Sequence, residues 1–460
     1  MRMTANEGLG DLMEAEVTIE RYADQGRCIA HIDGRVVFVR FALPGERVKI
    51  LLDEPRRKKD RLWTGEVTEV LEASPDRVEP VWPLAGPVAW AGGLGGADLV
   101  HVSRQGQTQW KQTVVEEQMK HLAGLDLTVP LTQVPEDEPE DGLHWRTRLD
   151  LVAGNNGHLA MRKRGSHDLL PLDTMPLASR RLLNLAQEQG WWSQTFQLGD
   201  HIRISVPEPR PGQESSVGQT PGQEAGVQQS ASQTGNFGFL VNGKVVSGRR
   251  NLTEKVVVTL PFIQNSPLDL SYTVDAEGFW QVHRMAPQIL VSEAVQRMFS
   301  AGGKDSSLIW DLYSGSGLFT LAAATAFPQA RILSVEGAPV AVKNARENSA
   351  AAGLDTITSQ EGDVYKTLKN LSDTTLAHPQ IILLDPPRSG AGRKVCNLLS
   401  SSQAETIIYI SCNPASLARD ISYLRQGGYE LTSIHAYDIY PLTHHVETIC
   451  LMSRHNTPEV

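Results

Sequence analysis

The C-terminal part of the chain restricts its fold more than any other stretch, because short apolar runs and helical patterns alternate there without interruption. The strand-like runs are Leu308-Ile309-Trp310-Asp311-Leu312, Arg331-Ile332-Leu333-Ser334-Val335, Gln380-Ile381-Ile382-Leu383-Leu384 and Thr406-Ile407-Ile408-Tyr409-Ile410. Helical patterns lie near Leu318 to Ala326, Pro339 to Ala352, Arg393 to Ser400 and Ala415 to Arg425. Runs this apolar are buried on both faces, and parallel neighbours need a helical crossover to bring the chain back. The expected fold is therefore α/β, a doubly wound and mostly parallel sheet. Such folds keep their chemistry at the carboxyl ends of the strands, so the residues just after each run are the ones to read.

The first of these turns is Asp311-Leu312-Tyr313-Ser314-Gly315-Ser316-Gly317-Leu318, whose glycines let a ligand approach the backbone. Thr320 occupies the place of the third glycine in a dinucleotide fingerprint, which disfavours a nicotinamide cofactor. Glu336 ends the next strand, where a carboxylate can accept from both hydroxyls of a ribose. Glu361-Gly362-Asp363 would close the adenine side from a third strand end. One acidic residue at a strand end is commonplace. Three in register with a glycine turn point to S-adenosylmethionine (SAM). Asp385-Pro386-Pro387-Arg388 follows the fourth strand, and Arg388 stands where amino methyltransferases place an aromatic ring over a planar amine. Exocyclic-amine chemistry is thereby disfavoured.

Ser411-Cys412-Asn413-Pro414 follows the fifth strand. A lone cysteine is ordinarily a small buried hydrophobe, so Cys412 by itself says little. In SAM-dependent sheets the last strand runs antiparallel beside the fifth, and Glu447-Thr448-Ile449-Cys450-Leu451-Met452 fits that strand. An antiparallel strand begins at the edge where its parallel neighbours end, which would bring Glu447 beside Cys412. Thiol and carboxylate together suit carbon methylation of a pyrimidine. C5 of uracil is a poor nucleophile until a thiolate adds at C6, and the proton left on C5 after methyl transfer needs a base. A base in an RNA stack would have to flip out to reach them.

Earlier in the chain, Val17-Thr18-Ile19, Cys28 to Ile32, Val36 to Val39, Arg47 to Leu51 and Gly65 to Val70 are short strand-like runs, with turns at Asp33-Gly34 and Pro44-Gly45. Five such runs predict a small OB-like barrel, a common oligonucleotide binder. Arg56-Arg57-Lys58-Lys59-Asp60-Arg61 beside Trp63 supplies a basic loop. Asp33-Gly34-Arg35-Val36-Val37-Phe38-Val39 and Leu43-Pro44-Gly45-Glu46 make this segment resemble the TRAM domain of RNA-modifying enzymes. Pro75 to Asp98 reads as irregular, Gln105 to Leu122 as a helix that packs on the catalytic part, and Leu177 to Gln189 as another helix. Arg148 to Val152 and His158 to Arg162 read as strands, and Arg162-Lys163-Arg164 could meet phosphates. The repeated Pro-Gly-Gln-Glu at 211–214 and 221–224 marks 207–235 as a flexible insertion. The expected domains are a barrel over 12–74, a central RNA-binding α+β domain over 75–262 and a catalytic domain over 263–460.

With 460 residues, two or three domains are expected. The four cysteines Cys28, Cys396, Cys412 and Cys450 are scattered, as in a cytoplasmic protein without disulfides. No apolar run is long enough to span a bilayer, so no membrane partner is expected. A net charge of -10 disfavours a general nucleic-acid coating and leaves room for a local basic face. A monomer is the expected state.

Taken together, Phe279-Trp280-Gln281, Asp311 to Gly317, Val335-Glu336-Gly337, Asp385 to Arg388, Ser411 to Pro414 and His444-His445-Val446-Glu447-Thr448 resemble the RNA uracil-C5-methyltransferase family, which makes 5-methyluridine in bacterial ribosomal and transfer RNA. The resemblance implies a class I methyltransferase domain with a seven-stranded sheet, Cys412 as nucleophile and Glu447 as general base. It further implies SAM binding by Gln281, Tyr313, Gly315, Gly317, Glu336, Asp363 and Asp385, with Asp385 and Arg388 meeting the substrate. The partner would be RNA, ribosomal before transfer RNA. Some relatives carry a Cys-Gly-Gly-Cys element that holds an iron-sulfur cluster. Here the matching residues are Leu94-Gly95-Gly96-Ala97, and Met175 stands where a later ligand would fall, so no cluster is expected. An RNA-binding assembly factor with an idle methyltransferase fold is the competing reading. Cytosine-C5 chemistry is disfavoured by the lack of a cysteine in Asp385-Pro386-Pro387-Arg388.

Overall fold

A computed structural model of the chain describes residues 13–53, 62–209, 235–264, 266–371 and 375–455. The basic loop at 56–61, nearly all of the 207–235 insertion and the first twelve residues lie outside them.

The N-terminal barrel has six strands, β1 (Glu14–Thr18), β2 (Arg21–Ala23), β3 (Arg27–Ile32), β4 (Arg35–Arg40), β5 (Arg47–Leu52) and β6 (Leu62–Glu72), in the order β1-β5-β6-β4-β3-β2. One more strand is present than the five expected. β2 is three residues long, too short to stand out as an alternating run, and is held against β3 by a tight turn at Asp24-Gln25-Gly26. Asp33 and Gly34 both have positive φ, 48° and 75°, which the two-residue turn between β3 and β4 requires. Pro44 and Gly45 (φ 83°) form the second turn, closed by the Glu46 amide on the Leu43 carbonyl.

Helix α1 (Arg104–Gln118), capped by Ser103, follows the irregular segment and runs on to Ala123 with wider π-type turns. After it come β7 (Leu131–Gln133), β8 (Arg148–Ala153), β9 (Leu159–Arg162), β10 (Leu169–Pro171), α2 (Arg180–Glu188), β11 (His201–Ser205), β12 (Gly238–Val241) and β13 (Lys244–Gly248). Strands β8 to β13 form one antiparallel sheet in the order β10-β9-β8-β11-β12-β13, and β14 (Asn251–Val258) pairs with β15 (Leu268–Asp275) as a separate hairpin. Within the Arg162-Lys163-Arg164 triplet, Arg164 is engaged inside the fold. Its guanidinium donates to the carbonyls of Leu94 and Gly86 and lies 4.4 Å from the Phe41 ring, so it stitches the Gly-rich segment to the barrel.

The remaining elements are α3 (Ala286–Ser300), β16 (Leu308–Leu312), α4 (Leu318–Ala326), β17 (Arg331–Glu336), α5 (Pro339–Ala351), β18 (Ile357–Glu361), α6 (Val364–Lys369), β19 (Ile381–Leu384), α7 (Gly392–Ser401), β20 (Thr406–Ser411), α8 (Pro414–Gln426), β21 (Tyr429–Asp438) and β22 (Glu447–Arg454). Their sheet has the order β18-β17-β16-β19-β20-β22-β21-β7, with β16 to β20 parallel and β22 antiparallel between β20 and β21. The seven expected strands are joined by an eighth, β7, which adds parallel to β21 from the central part of the chain. Alternation explains why the runs looked uniformly apolar. Ile309, Ile381 and Ile408 face α3 and α4, whereas Leu308, Trp310, Ile382 and Ile407 face α7 and α8.

Candidate active site

Parallel register brings the carboxyl ends of β16, β17, β19 and β20 to one edge of the sheet, and β22 starts there in the opposite sense. Thr448 pairs with Ser411, and the Thr448 hydroxyl donates to the Ser411 carbonyl at 2.9 Å. Cys412 and Glu447 flank that last pair and line one cavity, where the Glu447 charge acts on the Cys412 thiol. Asn413 caps α8 by accepting from the Ala415 amide at 3.0 Å, and its side-chain amide donates to the Arg388 carbonyl at 2.9 Å. The cysteine loop and the Asp385-Pro386-Pro387-Arg388 loop are therefore tied together. These loops open into a cavity of about 800 Å³, within the size range of small-molecule and cofactor sites.

The glycine turn follows β16, which lies between β17 and β19 in the same sheet. Tyr313 has φ 61°, an uncommon conformation for a bulky residue and one seen at ligand sites. Gly315 (φ 54°) donates its amide to Glu336 Oε2 at 2.9 Å, and Ala338 donates to Oε1 at 2.7 Å. Both carboxylate oxygens are thus fixed at the cavity wall, each with lone-pair capacity left for a hydroxyl. Asp363 caps α6 through the Lys366 amide and lines the same wall. Asn344 on α5 lines it too, and its buried Nδ2 has no hydrogen-bond partner among the described residues.

Electrostatically, the Cys412 end gathers the acids Glu447 and Asp385, with the Arg388 guanidinium beside them. Burial pushes the Cys412 thiol up to about 12, Glu447 and Asp385 push it in the same direction, and Arg388 opposes them. Burial, and then Asp385, hold the Glu447 carboxyl well above its ordinary range. Burial and the Asp311 charge raise Asp385 to about 7. His445 is driven down to about 3 by burial, then by His444 and Arg388. It is therefore neutral, and its Nε2, 3.1 Å from Arg388 Nη2, acts as the acceptor.

Cys412, Glu447, Asp385, Arg388, Gln281, Tyr313, Gly315, Glu336 and Asp363 all line this one cavity. Gly317 does not. It sits behind the wall as the N-cap of α4 with φ 90°, where a Cβ would stand 3.2 Å from Leu321 and 3.4 Å from Ala345. Sequence reasoning missed Tyr440, Asn344 and the Trp145-Arg146 pair, all of which line the cavity. Asn344 did leave a signal, being a polar residue on the helix between the buried Val342 and Ala345. Tyr440 left none, since it lies in a turn with no periodicity.

Leu94, Ala97 and Met175 are buried in an apolar core, and among the described residues no three His, Cys, Asp or Glu side chains gather to hold a metal. Among the described residues, no helix is long and apolar enough to cross a membrane.

Residues 269–455 match the family described as tRNA (Uracil-5-)-methyltransferase, and residues 13–59 match the TRAM domain. A Bifidobacterium longum protein described as an uncharacterized RNA methyltransferase is 50% identical, covering 96% of this chain and 97% of its own. The 23S rRNA (uracil(1939)-C(5))-methyltransferase RlmD of Chromohalobacter salexigens is 30% identical, covering 96% of this chain and 90% of its own. In fold, the chain is similar to the Pyrococcus abyssi tRNA (uracil-54, C5)-methyltransferase solved with S-adenosyl-L-homocysteine. The TM-score is 0.63 at 18% identity, covering 95% of this chain and 100% of that one. With a relative this similar end to end, and with both family matches falling on the elements described above, the chain belongs to the RNA uracil-C5-methyltransferase family and is an RNA (uracil-5-)-methyltransferase.

Proposed function

We propose that this enzyme methylates C5 of one uridine in 23S ribosomal RNA, with Cys412 as nucleophile, Glu447 as general base and SAM as methyl donor. One juxtaposition carries the reading: a thiol and a carboxylate from distant parts of the chain line one cavity with a glycine turn and an acidic strand end. The ribosomal target is supported by relatives named for uridine 1939 of 23S rRNA, at 30% and 29% identity along nearly the whole chain.

The cavity wall fits SAM. Glu336 is pre-set to accept from ribose hydroxyls, Asn344 Nδ2 is a buried donor without a partner among the described residues, and the Gly315 turn brings the backbone close. Bound there, SAM supplies a methyl group activated by its sulfonium. Cys412 loses its proton to solvent, and its sulfur bonds to C6 of the uracil, moving the C5=C6 electron pair into an enolate over C5, C4 and O4. Arg388 is the neighbouring cation that favours the thiolate. Methyl transfer would then form the C5–CH3 bond as the sulfonium S–CH3 bond breaks, the demethylated thioether, S-adenosyl-L-homocysteine, being the leaving group. Glu447 takes the remaining C5 proton, the C5=C6 bond re-forms, the C6–S bond breaks and the thiolate leaves.

Incubation with SAM and transcribed 23S rRNA fragments containing 5-fluorouridine tests the reading, because fluorine at C5 blocks the elimination. A protein-RNA adduct that survives denaturation is expected from the wild type and none from Cys412→Ala. Glu447→Gln should accumulate an adduct on ordinary RNA. An adduct formed by Cys412→Ala would refute the mechanism, and adducts on transfer RNA alone would refute the ribosomal target.

A further inference from the structure

Tyr440 sits in the turn between β21 and β22, seven residues before the proposed base, and its hydroxyl donates to Glu447 Oε2 at 3.2 Å. Nothing about the phenol is loose. Its ring stands edge-on to Trp145 with centroids 6.2 Å apart, and to His445 at 6.0 Å. Its carbonyl accepts from Lys111 Nζ at 2.9 Å and from the Thr443 hydroxyl at 2.8 Å, which pins the backbone beneath the ring. The Lys111 contact comes from α1, outside the catalytic sheet, so the hydroxyl is positioned by packing from two parts of the chain.

A base that must collect a proton from C5 needs one carboxylate oxygen free and the charged form populated. At Glu447 both are resisted by the surroundings, since burial and Asp385 favour the neutral acid. The groups facing Glu447 are Asp385 and Arg388 from the loop after β19, Cys412 after β20, and Tyr440 and His445 from the turn before β22, with Arg146 reaching the cavity from the central region. His445 is neutral there. Of the others, only Tyr440 makes a hydrogen bond to the carboxyl group among the described residues, and toward the ionised carboxylate it does so as the donor. A donor on one oxygen stabilises the anion and fixes the rotamer, leaving Oε1 for the substrate.

We infer that Tyr440 is a positioning residue for elimination: its hydroxyl holds the Glu447 side chain by Oε2 and favours the ionised form of the base, without taking part in thiol addition or methyl transfer. This rests on the reading of Glu447 as the base that removes the C5 proton, and it extends that reading to the step the hydroxyl controls.

The test is Tyr440→Phe, which keeps the ring and removes the donor. Adduct formation on 5-fluorouridine RNA, which stops before elimination, is expected at the wild-type rate. On ordinary RNA the single-turnover elimination rate should fall off below a pH about one unit higher than in the wild type, and covalent adduct should accumulate below that pH. Fluorotyrosine at 440, a stronger donor, should move the same limb to lower pH. A Tyr440→Phe profile superimposable on the wild type would overturn the inference. So would equal slowing of adduct formation and elimination at all pH values, the mark of a packing role. If the wild type itself formed no fluorouridine adduct, the functional reading would fall first.

Discussion

Cys412 and Glu447 differ in what made them visible. Cys412 was conspicuous only because it ended an apolar run, and Glu447 only because an antiparallel last strand starts where the parallel ones finish. That both placements could be read in advance follows from strand register, which is fixed by the pattern of buried side chains. Their electrostatic state could not be read, because it depends on Asp385, Asp311 and burial, which only the assembled sheet creates. Asp385 illustrates the cost. Its folded pKa, about 7, lies above the ordinary 3.8, so between those values the folded protein keeps a proton that the unfolded chain has lost. The stability tied to that proton is fully present below about pH 4 and is lost as pH rises through 7. Asp385→Asn, which does not titrate, should therefore stabilise the protein by about 1–2 kcal/mol at pH 8 and by almost nothing near pH 4, while methylation falls. Urea unfolding at the two pH values checks this, and equal gains at both would mean the carboxyl is not protonated in the fold.

At the scale of elements, α1 and β21 are joined by a buried ion cluster. Lys111 Nζ lies 2.5 Å from Asp438 Oδ1 with both side chains fully buried, and Arg104 reaches Asp438 Oδ2 at 3.1 Å. Desolvation makes such a pair a poor source of net stability, yet removing one partner strands the other charge. Lys111→Met should cost about 3 kcal/mol, and adding Asp438→Asn should recover most of it. A fully additive double substitution would show that the two groups are not energetically coupled. The hairpin β11–β12 carries a second prediction. Ser205 pairs with Gly238, so the strand ends flanking 210–234 are neighbours. Replacing 210–234 with a short Gly-Ser linker should leave methylation and melting temperature within error of the wild type. A large loss of methylation would give that segment a role.

Across the whole molecule, α1 is shared between two cores. Trp110 and Val114 pack with the barrel and central sheet, and the Trp110 indole donates to the Ala23 carbonyl at 3.1 Å. Val115 and Met119 pack with the catalytic sheet. An element anchored in both makes their unfolding cooperative. Calorimetry of the wild type should give one main transition, and Trp110→Ala, costing about 3–5 kcal/mol, should lower it as a unit. Two transitions of which only one shifts would mean that the cores melt independently.

The sequence by itself determined the strand and helix order of the catalytic sheet, the glycine turn, the acidic strand ends and the pairing of Cys412 with Glu447, because each is written in local pattern and in the handedness and register rules of parallel sheets. It also determined the TRAM-like barrel, through its turns at Asp33-Gly34 and Pro44-Gly45. Only the tertiary structure decided that β7 extends the catalytic sheet, that Arg164 serves the fold, that Gly317 stands behind the cavity wall and that Tyr440 grips the proposed base. Each of these depends on contacts between residues far apart in the chain, where neither period nor propensity carries information and only packing selects the partner.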